Sequence, residues 1–185
     1  MEKAVRQFLH ETYQIHLAAD AITLMPLNGE GKVQHRLDKL YSLLMAPERA
    51  LWRQAIAEAD TVFVTTHSQG TPVSTMLLAR LLREGIVRTS HQRVCMLAMA
   101  GISHGPFPFL RDNLVVRYVE ADAARELFHF MEADREVSVR YRNDMYTVLK
   151  HGVKVVCVGS MADQVVPVSW ARESTIYPSL MYPLL

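Results

Sequence analysis

Two pentapeptides place a serine two residues ahead of a glycine: Thr66-His67-Ser68-Gln69-Gly70 and Gly101-Ile102-Ser103-His104-Gly105. A serine hydroxyl is a weak nucleophile. It attacks an acyl carbon only when a base takes its proton and backbone N–H groups face the oxyanion that develops. A sharp strand-to-helix turn supplies the exposure and the N–H groups together. The second pentapeptide satisfies the pattern G-x-S-x-G letter for letter, whereas the first has Thr66 where the leading glycine would stand. By chance alone S-x-G arises about 0.4 times in a chain of this composition, so the flanking elements must decide between the two serines.

Those elements favour Ser68. TVFVTT (61–66) is a β-branched and aromatic run ahead of it, and PVSTMLLARLLRE (72–84) behind it has helical composition, with Pro72 in the first turn and Gly85 just past the end. Behind Ser103, Pro106 and Pro108 remove N–H donors and push Gly105 and Phe107 out of helical geometry, so no helix starts there. GISHG is therefore read as a decoy. Thr66 adds a β-branched side chain at a tight corner and counts against the elbow. The bland alternative for Ser68 is a helix N-cap, a position serine also favours. If the elbow holds, the backbone N–H of Gln69, at the helix N-terminus, is the candidate oxyanion donor.

The rest of the chain alternates between helical and strand patterns. Apolar positions at helical spacing predict a helix over 3–17, and AITLMPL (21–27), closed by Asn28-Gly29-Glu30-Gly31, predicts a short buried strand. Residues 34–59 predict one bent helix or two short ones broken at Pro47. RVCMLAMAG (93–101) and KVVCVGS (154–160) read as strands, LVVRYVE (114–120) as a possible third, and 121–132 and 141–150 as helices. Near-continuous apolar strands between helices indicate an α/β fold with a largely parallel sheet and helices on both faces.

Composition narrows the partners. The 185 residues fit a single domain, half of them are apolar, and 20 basic side chains nearly balance 19 acidic ones. No field draws such a chain to nucleic acid or an anionic membrane. A small, weakly charged substrate is the expected partner. The N-terminal residues lack a signal-peptide core, and no run is long enough to span a bilayer, so the expectation is an intracellular, cytoplasmic protein. Cys95 and Cys157 lie in apolar runs and read as buried free thiols. No His and Cys spacing resembles a zinc site, and no cofactor motif is present. NGEGK (28–32) has neither the dinucleotide nor the P-loop spacing, which leaves a nucleotide-binding reading weak.

The segments TVFVTTHSQGTPVS and VKVVCVGSMADQVVP resemble the central part of α/β-hydrolases of the lipase and esterase type, in particular fungal α/β-hydrolase-like proteins with THSQGTPVS at the elbow and GSxxDxVVP after a later strand. The resemblance spans roughly residues 20–170. It implies a partial α/β-hydrolase core and a triad in the chain order Ser, acid, His. Asp163, in the loop after the last strand, takes the place of the acid. Its task would be to orient an imidazole and stabilise its protonated form. Its alternative is an Asp capping the turn before Val165. Residues 164–185 contain no histidine, so the base is missing in chain order, and His104 is the one candidate near the site from another place in the chain. His67 beside the serine, and Phe107 and Phe109 in the apolar loop GPFPFL, are candidate substrate-lining residues. A second oxyanion donor is also absent upstream, and the expectation is the middle portion of a longer hydrolase or a degenerate copy. The predicted function is a serine hydrolase acting on an ester or lipid-like acyl bond; the alternative is an inactive binding module of the same fold.

Overall fold

The computed structural model of the chain describes residues 2–106 and 121–166. Three β-branched and apolar runs form one parallel sheet in the order β1-β2-β3: β1 is Thr61–His67, β2 is Arg93–Met99 and β3 is Lys154–Val158. The register aligns His67 with Met99 and Met99 with Val158, so all three strands end at one level. The loops that follow them therefore share the carboxyl edge of the sheet. That edge is where parallel α/β sheets gather ligands and catalytic groups.

Alternation along the strands sorts their side chains. Val94, Met96 and Val155 are buried in the main cluster, and Val62, Val64 and Cys157 pack against it, whereas Phe63 and Val156 on the other face are 52% and 41% exposed. The cluster is built by three helices. The central one, α4 (Gly70–Arg83), packs on β1, on the last helix and on α2 (Val33–Met45), and buries ten of its residues from Thr71 to Leu82. From α2, Val33, Leu37, Leu40 and Leu44 enter the core at helical spacing. A 3-10 turn at Pro47–Arg49 separates α2 from α3 (Ala50–Glu58), which resolves the expected break at Pro47 into two helices. Two further helices follow β2: α5 (Ala121–His129) and α6 (Glu136–Lys150), whose Tyr141, Met145 and Val148 close the core. The first helix, α1 (Glu2–Tyr13), buries none of its residues.

Gln92 ties the other end of the sheet together. It is 5% exposed, its Nε2 donates to the carbonyl of Ala59 (2.9 Å), and its Oε1 accepts from the Arg88 N–H (2.8 Å). One side chain thus links the end of α3 to the entry into β2.

Three sequence expectations are corrected. AITLMPL (21–27) is not a strand: Leu27 packs on the core and Leu24 is half exposed, because a short apolar run acquires a strand's conformation only where a ladder partner waits. The last helix begins at Glu136 rather than at 141, its start obscured by the β-branched Val137 and Val139. Cys95 and Cys157 are only half-buried rather than buried, and they point to opposite faces of the sheet. The strand expected over 114–120 and the tail beyond 166 lie outside the described residues.

Candidate active site

Ser68 occupies a corner between β1 and α4 with φ +53, the left-handed region that a non-glycine residue enters only at a cost. Three backbone hydrogen bonds hold it there. Its N–H donates to the Met99 carbonyl (2.9 Å), and its carbonyl accepts from the N–H groups of Thr71 (3.1 Å) and Ile102 (3.3 Å). The serine is half-buried at the carboxyl edge, and its side chain makes no hydrogen bond among the described residues. An unstrained N-cap would have extended backbone and would bond its hydroxyl to an N–H two or three residues on. Ser68 does neither; the residue at the cap position is Gln69, in helical conformation and with no capping bond from its side chain. The Gln69 N–H also has no acceptor among the described residues and stands at the positive end of α4.

The departure at Thr66 is accommodated by a second threonine. Thr66 is 5% exposed, and its Oγ1 lies 2.9 Å from Oγ1 of the fully buried Thr71, in the first turn of α4. Thr71 in turn abuts Gly101, where an added Cβ would come within 3.0 Å of its Cγ2 and Oγ1. The leading glycine of the second pentapeptide thus serves the packing behind the first. Neither Thr71 nor Gly101 stands out from the sequence as part of this corner. The signal that could have found Thr71 is a second hydroxyl five residues after Thr66.

Ser103 faces inward. It is 7% exposed, with Oγ 3.0 Å from the Tyr141 hydroxyl of α6. Its neighbour His104 is half-buried in the same loop, and the ring Nε2 is wholly buried without a hydrogen-bond partner among the described residues. Burial first, and then the positive charge of Arg142, hold the His104 pKa below the ordinary imidazole value, so the neutral form prevails at pH 7. Gly105, at φ +85, lets this loop press against α5 and the turn after it, where a Cβ would meet the Leu127 carbonyl at 3.1 Å and Met131 Cγ at 2.6 Å.

Asp163 lies in the loop after β3, two strands across from Ser68 at the same edge. Its Oδ1 accepts from the N–H groups of Val165 (2.8 Å) and Val166 (3.0 Å), and no other group among the described residues engages the carboxylate. The turn-capping geometry and a free second oxygen coexist in one side chain. The Ile102 N–H bond brings the loop that carries His104 against the serine corner, but no hydrogen bond joins Ser68, His104 and Asp163 among the described residues. His67 is exposed on the opposite side of β1 from Thr66. Phe107 and Phe109 lie outside the described residues.

A groove along α1, lined by Glu2, Arg6, His10 and His16 among others, contains none of these residues. No metal-binding cluster of three or more ligands occurs among the described residues, and no helix there is long and apolar enough to cross a membrane.

No curated protein and no solved structure matches the chain. A family model does, over residues 2–185, described as the YMC0/YMC35 alpha/beta hydrolase domain. With its parallel sheet, its helical cover and this match along almost its whole length, the chain belongs to the α/β-hydrolases, and its general function is hydrolase-like.

Proposed function

We propose that the protein is a serine hydrolase for an ester or lipid-like acyl bond, with Ser68 as nucleophile. The observation that carries this reading is the left-handed backbone of Ser68 between β1 and α4, a strain with no use in a plain strand-to-helix turn. Ser68 Oγ attacks the acyl carbon and gives its proton to a base. The oxyanion faces the Gln69 N–H and the N-terminus of α4, the ester oxygen leaves with the proton, and water then releases the acyl group from the serine. Asp163, at the same edge, has the place and the charge to orient an imidazole. His104, neutral at pH 7, is the candidate for that imidazole; its position ahead of Asp163 departs from the order Ser, acid, His. His67, Phe107 and Phe109 are the residues proposed to line the acyl site.

A second reading is a binding module that has lost catalysis. It is favoured by the absence of a hydrogen bond linking Ser68, His104 and Asp163 among the described residues. A fluorophosphonate probe, which reacts only with an activated serine, separates the two. Labelling of the wild type that Ser68→Ala abolishes and Ser103→Ala leaves intact supports the hydrolase. An unlabelled wild type, or labelling that survives Ser68→Ala, rejects Ser68 as the nucleophile.

A further inference from the structure

Thr66 and Thr71 flank the serine corner, one near the end of β1 and the other in the first turn of α4, and their hydroxyls meet 2.9 Å apart in a site closed to water. The geometry points to a hydroxyl clamp: Thr66 and Thr71 are positioning residues that hold the Ser68 corner in its left-handed form. This rests on Ser68 being the nucleophile proposed above.

Proton placement follows from the acceptors. Thr66 Oγ1 has the Leu97 carbonyl 3.4 Å away as acceptor, so the Thr71 hydroxyl donates to Thr66 and Thr66 donates to the neighbouring strand. The chain runs from α4 through β1 to β2, and it ties together the three elements that meet at Ser68. The same Thr71 donates its N–H to the Ser68 carbonyl, and its own carbonyl accepts from the Thr75 hydroxyl (2.9 Å). Relaxing Ser68 to negative φ would swing residue 66 relative to residue 71. It would pull this pair apart and strand a buried hydroxyl on each side. A glycine at 66 would supply room but no such tie. On this view Thr66 replaces the room a glycine would leave with a hydrogen bond across the corner. Gly101 completes the device from behind, because any side chain there would push Thr71 off its partner.

The roles of the two threonines are unequal, and that makes the clamp testable. Thr66→Val leaves the Thr71 hydroxyl buried with no acceptor, while Thr71→Val leaves Thr66 its bond to Leu97. The double variant Thr66→Val/Thr71→Val removes the tie without orphaning either group and keeps the shape, so its thermal midpoint should stay near that of the wild type. Two readings are then taken on the full chain. The first is amide hydrogen exchange at the Thr71 and Ile102 N–H groups, both bonded to the Ser68 carbonyl. Their protection should drop about tenfold in the double variant and return in Thr66→Ser, which keeps the hydroxyl. The second is the rate of fluorophosphonate labelling, which should fall about tenfold or more, since small displacements of a reacting group are costly. Unchanged protection at both amides in the double variant overturns the clamp, whatever the labelling shows. If protection falls but the wild type does not label, the clamp stands as a device of the corner and the nucleophile assignment fails. If protection falls and the wild type labels but the labelling rate does not move, the positioning role is overturned.

Discussion

At the scale of the residue, the backbone of Ser68 is the most informative feature of the molecule. A left-handed conformation costs a non-glycine residue on the order of 1 kcal/mol, and glycine escapes that cost. Replacing Ser68 by Gly should therefore give a protein about 1 kcal/mol more stable than replacing it by Ala, as read by urea unfolding of the two variants. Equal stabilities would mean the corner is not strained. His104 offers a second measurement. Because its folded-state pKa is depressed, its neutral form is favoured by folding, and above about pH 6.5 neither state carries the proton. As pH falls below that value the unfolded chain binds a proton that the folded chain resists, so stability drops until the folded pKa is passed. The stability of the wild type relative to His104→Gln, followed from neutral pH downward by unfolding midpoints, should fall along this acid limb. A constant gap across that range would show that burial does not disfavour the charged ring.

The elements set where these residues stand. Parallel pairing with a common end for β1, β2 and β3 brings the Ser68 corner, the His104 loop and the Asp163 loop to one edge, although 95 positions separate Ser68 from Asp163 in number. The opposite edge is held by Gln92. Its side chain satisfies the Ala59 carbonyl and the Arg88 N–H in a place closed to water, so Gln92→Ala should cost about 1–3 kcal/mol. The cost should appear as a shift in the denaturant midpoint with no change in fluorophosphonate labelling, since Gln92 is at the far end of the strands. TVFVTT and the following helix were readable because a β-branched run, a serine, a proline in a first turn and a closing glycine agree with one another. AITLMPL was not readable, since its apolar run is compatible with either a strand or a packed loop, and only a neighbouring strand could have decided.

For the whole molecule, the packing centre is α4, which lies between sheet, α2 and α6. Met76 is 1% exposed at the centre of that packing. Met76→Ala should lower stability by about 2–5 kcal/mol, measured by chemical denaturation. Labelling of the folded fraction should keep its wild-type rate, because the backbone hydrogen bonds of Ser68 and the Thr66–Thr71 pair remain. A parallel loss of labelling rate and stability would instead mean that the corner softens with the core. Across α4 and α6, Arg83 meets the buried Asp144 at 2.7 Å, a further tie between the two helices behind the sheet.

The sequence by itself determined which serine follows a strand and precedes a helix, where the helices break at Pro47 and Gly85, and that Ser103 has prolines where a helix would need donors. These are local matters of backbone sterics and side-chain periodicity, and a short window holds all the information they need. Only the tertiary structure decided that Thr66 meets the Thr71 hydroxyl, that Gly101 belongs to the packing behind that pair, and that Ser103 turns toward Tyr141. Each of those depends on what lies opposite in space, on a hydroxyl five residues away or a ring 38 positions along the chain, and no local pattern encodes the neighbour that folding will supply.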